Sequence, residues 1–198
     1  MECCENKTQW YKKLVAVLLG TGDCHGGVKQ NTYGLKKIAL VGSPNVGKSV
    51  LFNSLTGAYV TVSNYPGTTV DVSRGKGKIG QQEYEIIDTP GMYSLMCITE
   101  EEKVTRELLF KEKPEAIIHV IDAKNIQRML PLTIQLVEAE MPVILVLNIM
   151  DEAERMGLRI DIKRLELELQ IPVISTIAAL NKGINTLKER VDKYVKVA

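Results

Sequence analysis

Gly42-Ser43-Pro44-Asn45-Val46-Gly47-Lys48-Ser49 stands between an apolar run, Ile38-Ala39-Leu40-Val41, and a helix-like stretch, Val50-Leu51-Phe52-Asn53-Ser54-Leu55. It has the form of a phosphate-binding loop, with the strand before and the helix after that such a loop requires. The glycines let the backbone wrap around a β-phosphate with its N–H groups turned inward. Lys48 reaches the β and γ oxygens, and Ser49 offers a hydroxyl to magnesium. A chance glycine-rich turn is the competing reading; the Lys-Ser pair and both flanks argue against it.

Outward from this loop, short apolar strands alternate with amphipathic helices. The pattern predicts strands over Lys36 to Val41, Thr69 to Lys76, Glu83 to Asp88, Ala116 to Asp122, Val143 to Asn148 and Val173 to Thr176. Helices are expected over Lys48 to Thr56, Glu100 to Lys111, Ile126 to Glu140, Ile162 to Leu169 and Ile184 to Val195. Runs of Val, Ile and Leu that are nearly continuous belong to strands buried on both faces, and their alternation with helices implies an open, largely parallel sheet. Gly75-Lys76-Gly77 and Gly80-Gln81 suggest a hairpin, and so one antiparallel edge strand. Ligands of such sheets bind at the carboxyl ends of the strands, where the phosphate loop falls. Residues 1–35 read as an N-terminal extension, a short helix around Asn6 to Leu19 followed by a Gly-rich linker, and residues 36–198 as the nucleotide-binding domain.

The chain has 198 residues, enough for one domain with a sizeable core. Its 25 basic and 24 acidic residues leave a net charge of +1, so no bulk field draws it to nucleic acid or anionic lipid, and no nucleic-acid partner is expected. No apolar run reaches the roughly 18 residues of a membrane helix. Cys3, Cys4, Cys24 and Cys97 match no disulfide framework, which suits a reducing cytosolic setting. Cys3, Cys4, Cys24 and His25 have the chemistry of a soft-metal cluster, yet not a standard zinc spacing, and ordinary thiols in a tail are the alternative. His119, mid-strand among Ile and Val, reads as core.

Asp88-Thr89-Pro90-Gly91 follows the apolar strand Tyr84-Glu85-Ile86-Ile87. That puts a carboxylate at a strand end beside the phosphate loop, where a magnesium contact through water belongs, and lets Gly91 bring its N–H to a γ-phosphate. Asn148-Ile149-Met150-Asp151 closes the strand Val143 to Leu147 and has the form of a guanine-reading motif. Asp151 can accept from the N1–H and exocyclic amine of guanine, donors that adenine lacks. Asn148 is read as tying this loop to the phosphate loop. Thr176-Ile177-Ala178 follows the last strand, with the Ala178 N–H placed for guanine O6; GTPases commonly have serine where Ile177 stands. The stretch from Tyr59 to Thr69 reads as a loop that closes over a γ-phosphate, with Thr69, in preference to Thr68, contributing its hydroxyl to magnesium.

Together with Asn64-Tyr65-Pro66-Gly67-Thr68-Thr69, Met92-Tyr93-Ser94, Val120-Ile121-Asp122-Ala123-Lys124-Asn125 and Gly183-Ile184, these motifs resemble the G domain of the FeoB family of ferrous-iron transport proteins over about residues 36–198. The departures are Thr89, where many members have leucine, and Tyr65, where many have tryptophan. The resemblance implies a Ras-like P-loop GTPase fold, with a six-stranded, mostly parallel sheet and helices on both faces. It also implies a cytosolic regulatory domain, at the cytoplasmic face of the membrane in the full-length transporter, followed there by helical and permease domains. Whether this chain is a piece of that transporter or a stand-alone regulator is left open. Nucleotide contacts are then expected from Gly42, Asn45, Val46, Gly47, Lys48, Ser49 and Val50, from Gly67, Thr68 and Thr69, and from Asp88 and Gly91. On the base side they come from Asn148, Ile149, Asp151, Thr176, Ile177 and Ala178. Magnesium falls to Ser49, Thr69 and Asp88.

Ras-like enzymes place a water-orienting glutamine after the Asp-x-x-Gly turn, and here Met92 occupies that position. Hydrolysis should therefore be slow. The resemblance points to potassium held by Asn45, nucleotide oxygens and carbonyls near Ser63 and Tyr65, so Asn45, Lys48, Thr69 and Gly91 are the expected catalytic set. Two other readings compete: a ribosome-associated GTPase of the Era or Der type, and a nucleotide switch with negligible turnover.

Overall fold

The computed structural model describes residues 34–57 and 60–197. Cys3, Cys4, Cys24, His25, the helix expected over Asn6 to Leu19, and Tyr59 lie outside the described residues. The strands are β1 (Lys36–Val41), β2 (Val60–Asn64), β3 (Asp71–Ile79), β4 (Gln82–Asp88), β5 (Ala116–Asp122), β6 (Val143–Asn148) and β7 (Val173–Ser175). The helices are α1 (Lys48–Leu55), α2 (Glu100–Glu112), α3 (Ile126–Glu138), α4 (Met150–Arg155), α5 (Ile162–Leu169) and α6 (Ile184–Val197).

The seven strands form one sheet in the order β2-β3-β4-β1-β5-β6-β7. β1 pairs in parallel with β4 and β5, β6 follows β5, and β7 follows β6, all in the same direction. β3 is antiparallel to both β4 and β2, so it alone runs against the rest. This corrects the expected six strands with an antiparallel strand at the edge: the reversed strand is interior, and β2 covers it. β2 falls inside the stretch expected as a loop: Val60-Thr61-Val62-Ser63 alternates over only four residues, and all five residues of the strand are exposed, so pairing with β3 rather than a buried face holds it in the sheet. β3 accordingly starts at Asp71, leaving Thr69 in the loop before it.

Burial in β1 shows why the sheet has two cores. Ile38 and Leu40 join Leu51, Phe52 and Leu55 of α1 and Leu187 and Val191 of α6. Ala39 and Val41 face the other way, toward Leu109 of α2 and Leu132 and Leu136 of α3. A period of two puts alternate side chains on opposite faces, and each fully buried Leu, Ile or Val contributes about 1.5–3 kcal/mol. Gly80-Gln81 makes the expected two-residue turn between β3 and β4, with Ile79 opposite Gln82. Gly77 is mid-strand: a Cβ there would lie 2.4 Å from Ile86 Cδ1 and 2.5 Å from the Leu55 carbonyl oxygen, so the glycine lets α1 end hard against the sheet.

Candidate functional site

Parallel strands β1, β4, β5 and β6 all deliver their carboxyl ends to one side of the sheet, and the motif residues lie there. The phosphate loop leaves β1 at Val41 and enters α1 at Lys48. Gly47 has φ 84°, and a Cβ on it would sit 2.3 Å from Asn148 Nδ2, so no other residue fits without displacing the base loop. Asn45 also takes a left-handed conformation, φ 64°, which asparagine tolerates better than most residues. It is exposed.

Asp88, the last residue of β4, lies opposite Leu40 of β1 and reaches the start of α1. Lys48 Nζ donates to its Oδ1 at 2.9 Å, and Ser49 Oγ donates to its Oδ2 at 2.9 Å. Lys48 and Ser49, assigned to phosphate and magnesium, thus share the carboxylate of Asp88. The turn that follows is stitched to the phosphate loop. Thr89 Oγ donates to the Leu40 carbonyl at 2.8 Å, Met92 N donates to the Gly42 carbonyl at 3.1 Å, and Gly91 packs so closely on the Pro44 ring that a Cβ would meet it at 2.7 Å. Thr89 is buried, and its hydroxyl is satisfied by that carbonyl. Met92 has no exposed surface and belongs to the core beside Ala39 and Val41.

In the loop between β2 and β3, Thr68 donates from its N–H and its hydroxyl to the Tyr65 carbonyl, both at 3.0 Å, and the Tyr65 N–H donates to the Val70 carbonyl at 2.8 Å. The Tyr65 ring packs toward Val72, Ile87, Val104 and Leu108, with the Lys111 ammonium 6.0 Å from its centroid. Gly67 supplies φ 82° in the turn. Thr68 is therefore occupied in holding the loop's shape. Thr69 is exposed and lines a cavity of about 630 Å³ with Val70, Asp71, Pro90, Thr99, Glu100 and Glu101. Among the described residues no hydrogen bond joins Thr69 to Ser49 or Asp88, so the structure brings those two together without it.

On the base side, Asn148 is buried and bonds through both its amide nitrogen and its amide oxygen. Nδ2 donates to the Val46 carbonyl at 2.9 Å, and Oδ1 accepts from Thr176 Oγ at 3.0 Å and from the Ala178 N–H at 3.0 Å. The Ala178 N–H expected to meet guanine O6 is thus held by Asn148 in this structure, and Thr176 acts as a tie within the fold. Ile149 adopts φ 61°, which turns the chain into the short helix α4 and sets Asp151 in its first turn. Arg155 then reaches back to Asp151: Nη2 lies 2.6 Å from Oδ2, and Nε donates to the Asp151 carbonyl at 3.1 Å. Lys124, in the 3-10 turn that follows β5, binds Glu152. Neither α4 nor Arg155 was anticipated, although an Arg four residues after an Asp is a spacing that pairs side chains on a helix. Six residues are too few to show a helical period.

Among the described residues, no group of three or more His, Cys, Asp and Glu could hold a metal, and no helix is long and apolar enough to cross a membrane. The family model for ferrous iron transport protein B matches residues 36–191. The Fe(2+) transporter FeoB of Shigella flexneri is 38% identical over 161 residues, which are 79% of this chain and 21% of that protein. The Campylobacter jejuni transporter is 39% identical over 155 residues, 78% of this chain and 25% of that one. The chain thus spans about a fifth to a quarter of the length of these curated relatives. Among solved structures, the FeoB G domain from Methanococcus jannaschii superposes with a TM-score of 0.72 at 36% identity, covering 81% of this chain and 97% of that one. The cytosolic domain of the T. maritima FeoB iron transporter in its GMPPNP form gives 0.78 at 38%, covering 82% and 64%. These matches displace the Era or Der alternative: over its G domain, the chain belongs to the ferrous iron transport protein B family.

Proposed function

We propose that this domain binds GTP with magnesium and hydrolyses it slowly, with potassium as activator, as the cytosolic regulatory part of a ferrous-iron membrane transporter. The observation that carries the reading is the pair of hydrogen bonds that Lys48 and Ser49 donate to the Asp88 carboxylate, in a crevice that Asn148 ties to the loop bearing Asp151. The T. maritima relative, determined in GDP and GMPPNP forms, supports guanine nucleotide as the ligand. The FeoB transporters supply the membrane context for the proposal, with helical and permease domains as the partners.

Lys48 and the inward N–H groups of the phosphate loop would stabilise charge as the γ-phosphoryl group leaves, and Gly91 would place its N–H on that group. Ser49, Asp88 and Thr69 carry the oxygen donors that magnesium prefers, and the ion supplies neutralisation of the β and γ oxygens when bound. Thr69 has to come to that site as the loop orders around the triphosphate. Asn45 is exposed at the loop's crest, and its amide oxygen suits a hard monovalent cation. Asp151 would accept two hydrogen bonds from guanine.

Hydrolysis measured in potassium and in sodium tests the central claim: faster turnover in potassium is expected, and equal rates remove the potassium role. Lys48→Ala should abolish nucleotide binding. Asp151→Asn should weaken GTP and favour xanthosine triphosphate, because an amide can donate to the oxygen that replaces guanine's amine. The burial of Met92 favours a second reading, a switch with negligible turnover. Single-turnover hydrolysis in potassium separates the two.

A further inference from the structure

The geometry points to Arg155 as the residue that positions the guanine-reading carboxylate, and this rests on the proposed role of Asp151. Arg155 holds Asp151 at two points: Nη2 on Oδ2 at 2.6 Å and Nε on the backbone carbonyl of the same residue at 3.1 Å. The backbone contact anchors the planar guanidinium, and its Nη2 then holds Oδ2 in a fixed direction, an arrangement that a single ammonium cannot reproduce. The carboxylate stays partly open, at 32% side-chain exposure. Oδ1 is left for a ligand, and Oδ2 keeps a second lone pair, since an ionised carboxylate accepts about four hydrogen bonds.

The neighbouring carboxylate has a separate keeper. Glu152 is bound by Lys124 from the 3-10 turn after β5, and Lys124 also lies 3.9 Å from Asp122. Two adjacent acids in the first turn of α4 are therefore held by two different cations, and the Arg155 contact belongs to Asp151 by itself. As a stabilising contact the Asp151–Arg155 pair counts for little: the Arg155 side chain is 71% exposed, and such i, i+4 pairs are weak in water. Its consequence lies in binding. A base that offers two coplanar donors needs both oxygens in one plane, whereas a base with a single donor tolerates a rotating carboxylate.

Calorimetric titration with GDP and with IDP, which keeps N1–H and lacks the amine, tests this on the wild-type chain, Arg155→Gln, Arg155→Lys and Asp151→Asn. Arg155→Gln should weaken GDP about three- to fivefold, the scale of an exposed ion pair, weaken IDP less, and leave Tm unchanged. Arg155→Lys should restore only part of the GDP preference. Unchanged or tighter GDP binding in Arg155→Gln would overturn the inference, the latter by making Arg155 a competitor of the base. Equal losses for GDP and IDP with a lowered Tm would make the pair merely structural and also overturn it. GDP binding unaffected by Asp151→Asn would instead remove the reading beneath it, and the inference with it.

Discussion

Asn148 joins parts of the site that are remote in sequence, bonding to Val46, Thr176 and Ala178 through one buried amide. Truncation to alanine removes three hydrogen bonds and leaves a hydroxyl and two backbone groups unpaired in the interior. Asn148→Ala should therefore lose about 2–4 kcal/mol in urea denaturation and bind nucleotide more weakly. Gly47→Ala combines a positive φ with a Cβ 2.3 Å from the same amide, so it should cost nucleotide affinity even where the chain still folds. Met92 calls for a different expectation. Its side chain lies wholly in the core, so Met92→Ala should lose about 2–5 kcal/mol while hydrolysis per folded molecule stays nearly intact. Met92→Leu, which conserves volume, checks the rate without the stability loss. A collapse of turnover in the leucine variant with binding preserved would show that Met92 serves the attacking water after all.

Helix α2 shows how one element anchors the turn that follows Asp88. Thr99 and Glu102 form a reciprocal capping box, and Glu102 also accepts from the N–H groups of Tyr93 and Ile98 at 3.1 and 2.9 Å. Burial opposes ionisation of this carboxyl, but the backbone donors of Ile98, Tyr93 and Thr99 outweigh it, and its pKa lies below the ordinary 4.5. A lowered carboxylate pKa contributes stability that is present above 4.5 and is lost as pH falls through the folded value. Glu102→Gln should cost about 1–2 kcal/mol at neutral pH, read by thermal melting, and should flatten the loss of stability on acidification. At the other end of α2, Glu112 accepts from Arg74 at 2.5 and 3.0 Å and from Lys37 at 2.8 Å. Burial raises its pKa, but these cations outweigh it and the net shift is downward, so this contact loosens over the same acid range.

At the scale of the molecule, the sheet places every strand-end motif on one side, and its β2 margin is open while β7 is largely buried. β2 has all five residues exposed, including Val60 at 42% and Val62 at 59%, and carries no charge. A lysine at position 62 should leave folding stability within about 0.5 kcal/mol, since the side chain packs against little, while reducing self-association at high concentration, measured by light scattering. A larger loss would mean that β2 contributes more to the fold than its exposure indicates.

The interior strands were legible in the sequence because burial on both faces leaves an unmistakable run such as Val143 to Leu147. The phosphate loop, the Asp88 turn and the Asn148-to-Asp151 motif were legible because each is a local backbone shape demanding particular residues, and a glycine or carboxylate at fixed spacing records that demand directly. Tertiary structure alone decided that β2 pairs outside β3 and that Met92 turns inward. It also decided that Asn148, legible as a tie to the phosphate loop, accepts from Thr176 and Ala178 as well, and that Arg155 clasps Asp151. The first three of these depend on which remote segments meet. The last depends on a six-residue helix too short to leave a period, formed only because the left-handed turn at Ile149 aims the chain into it.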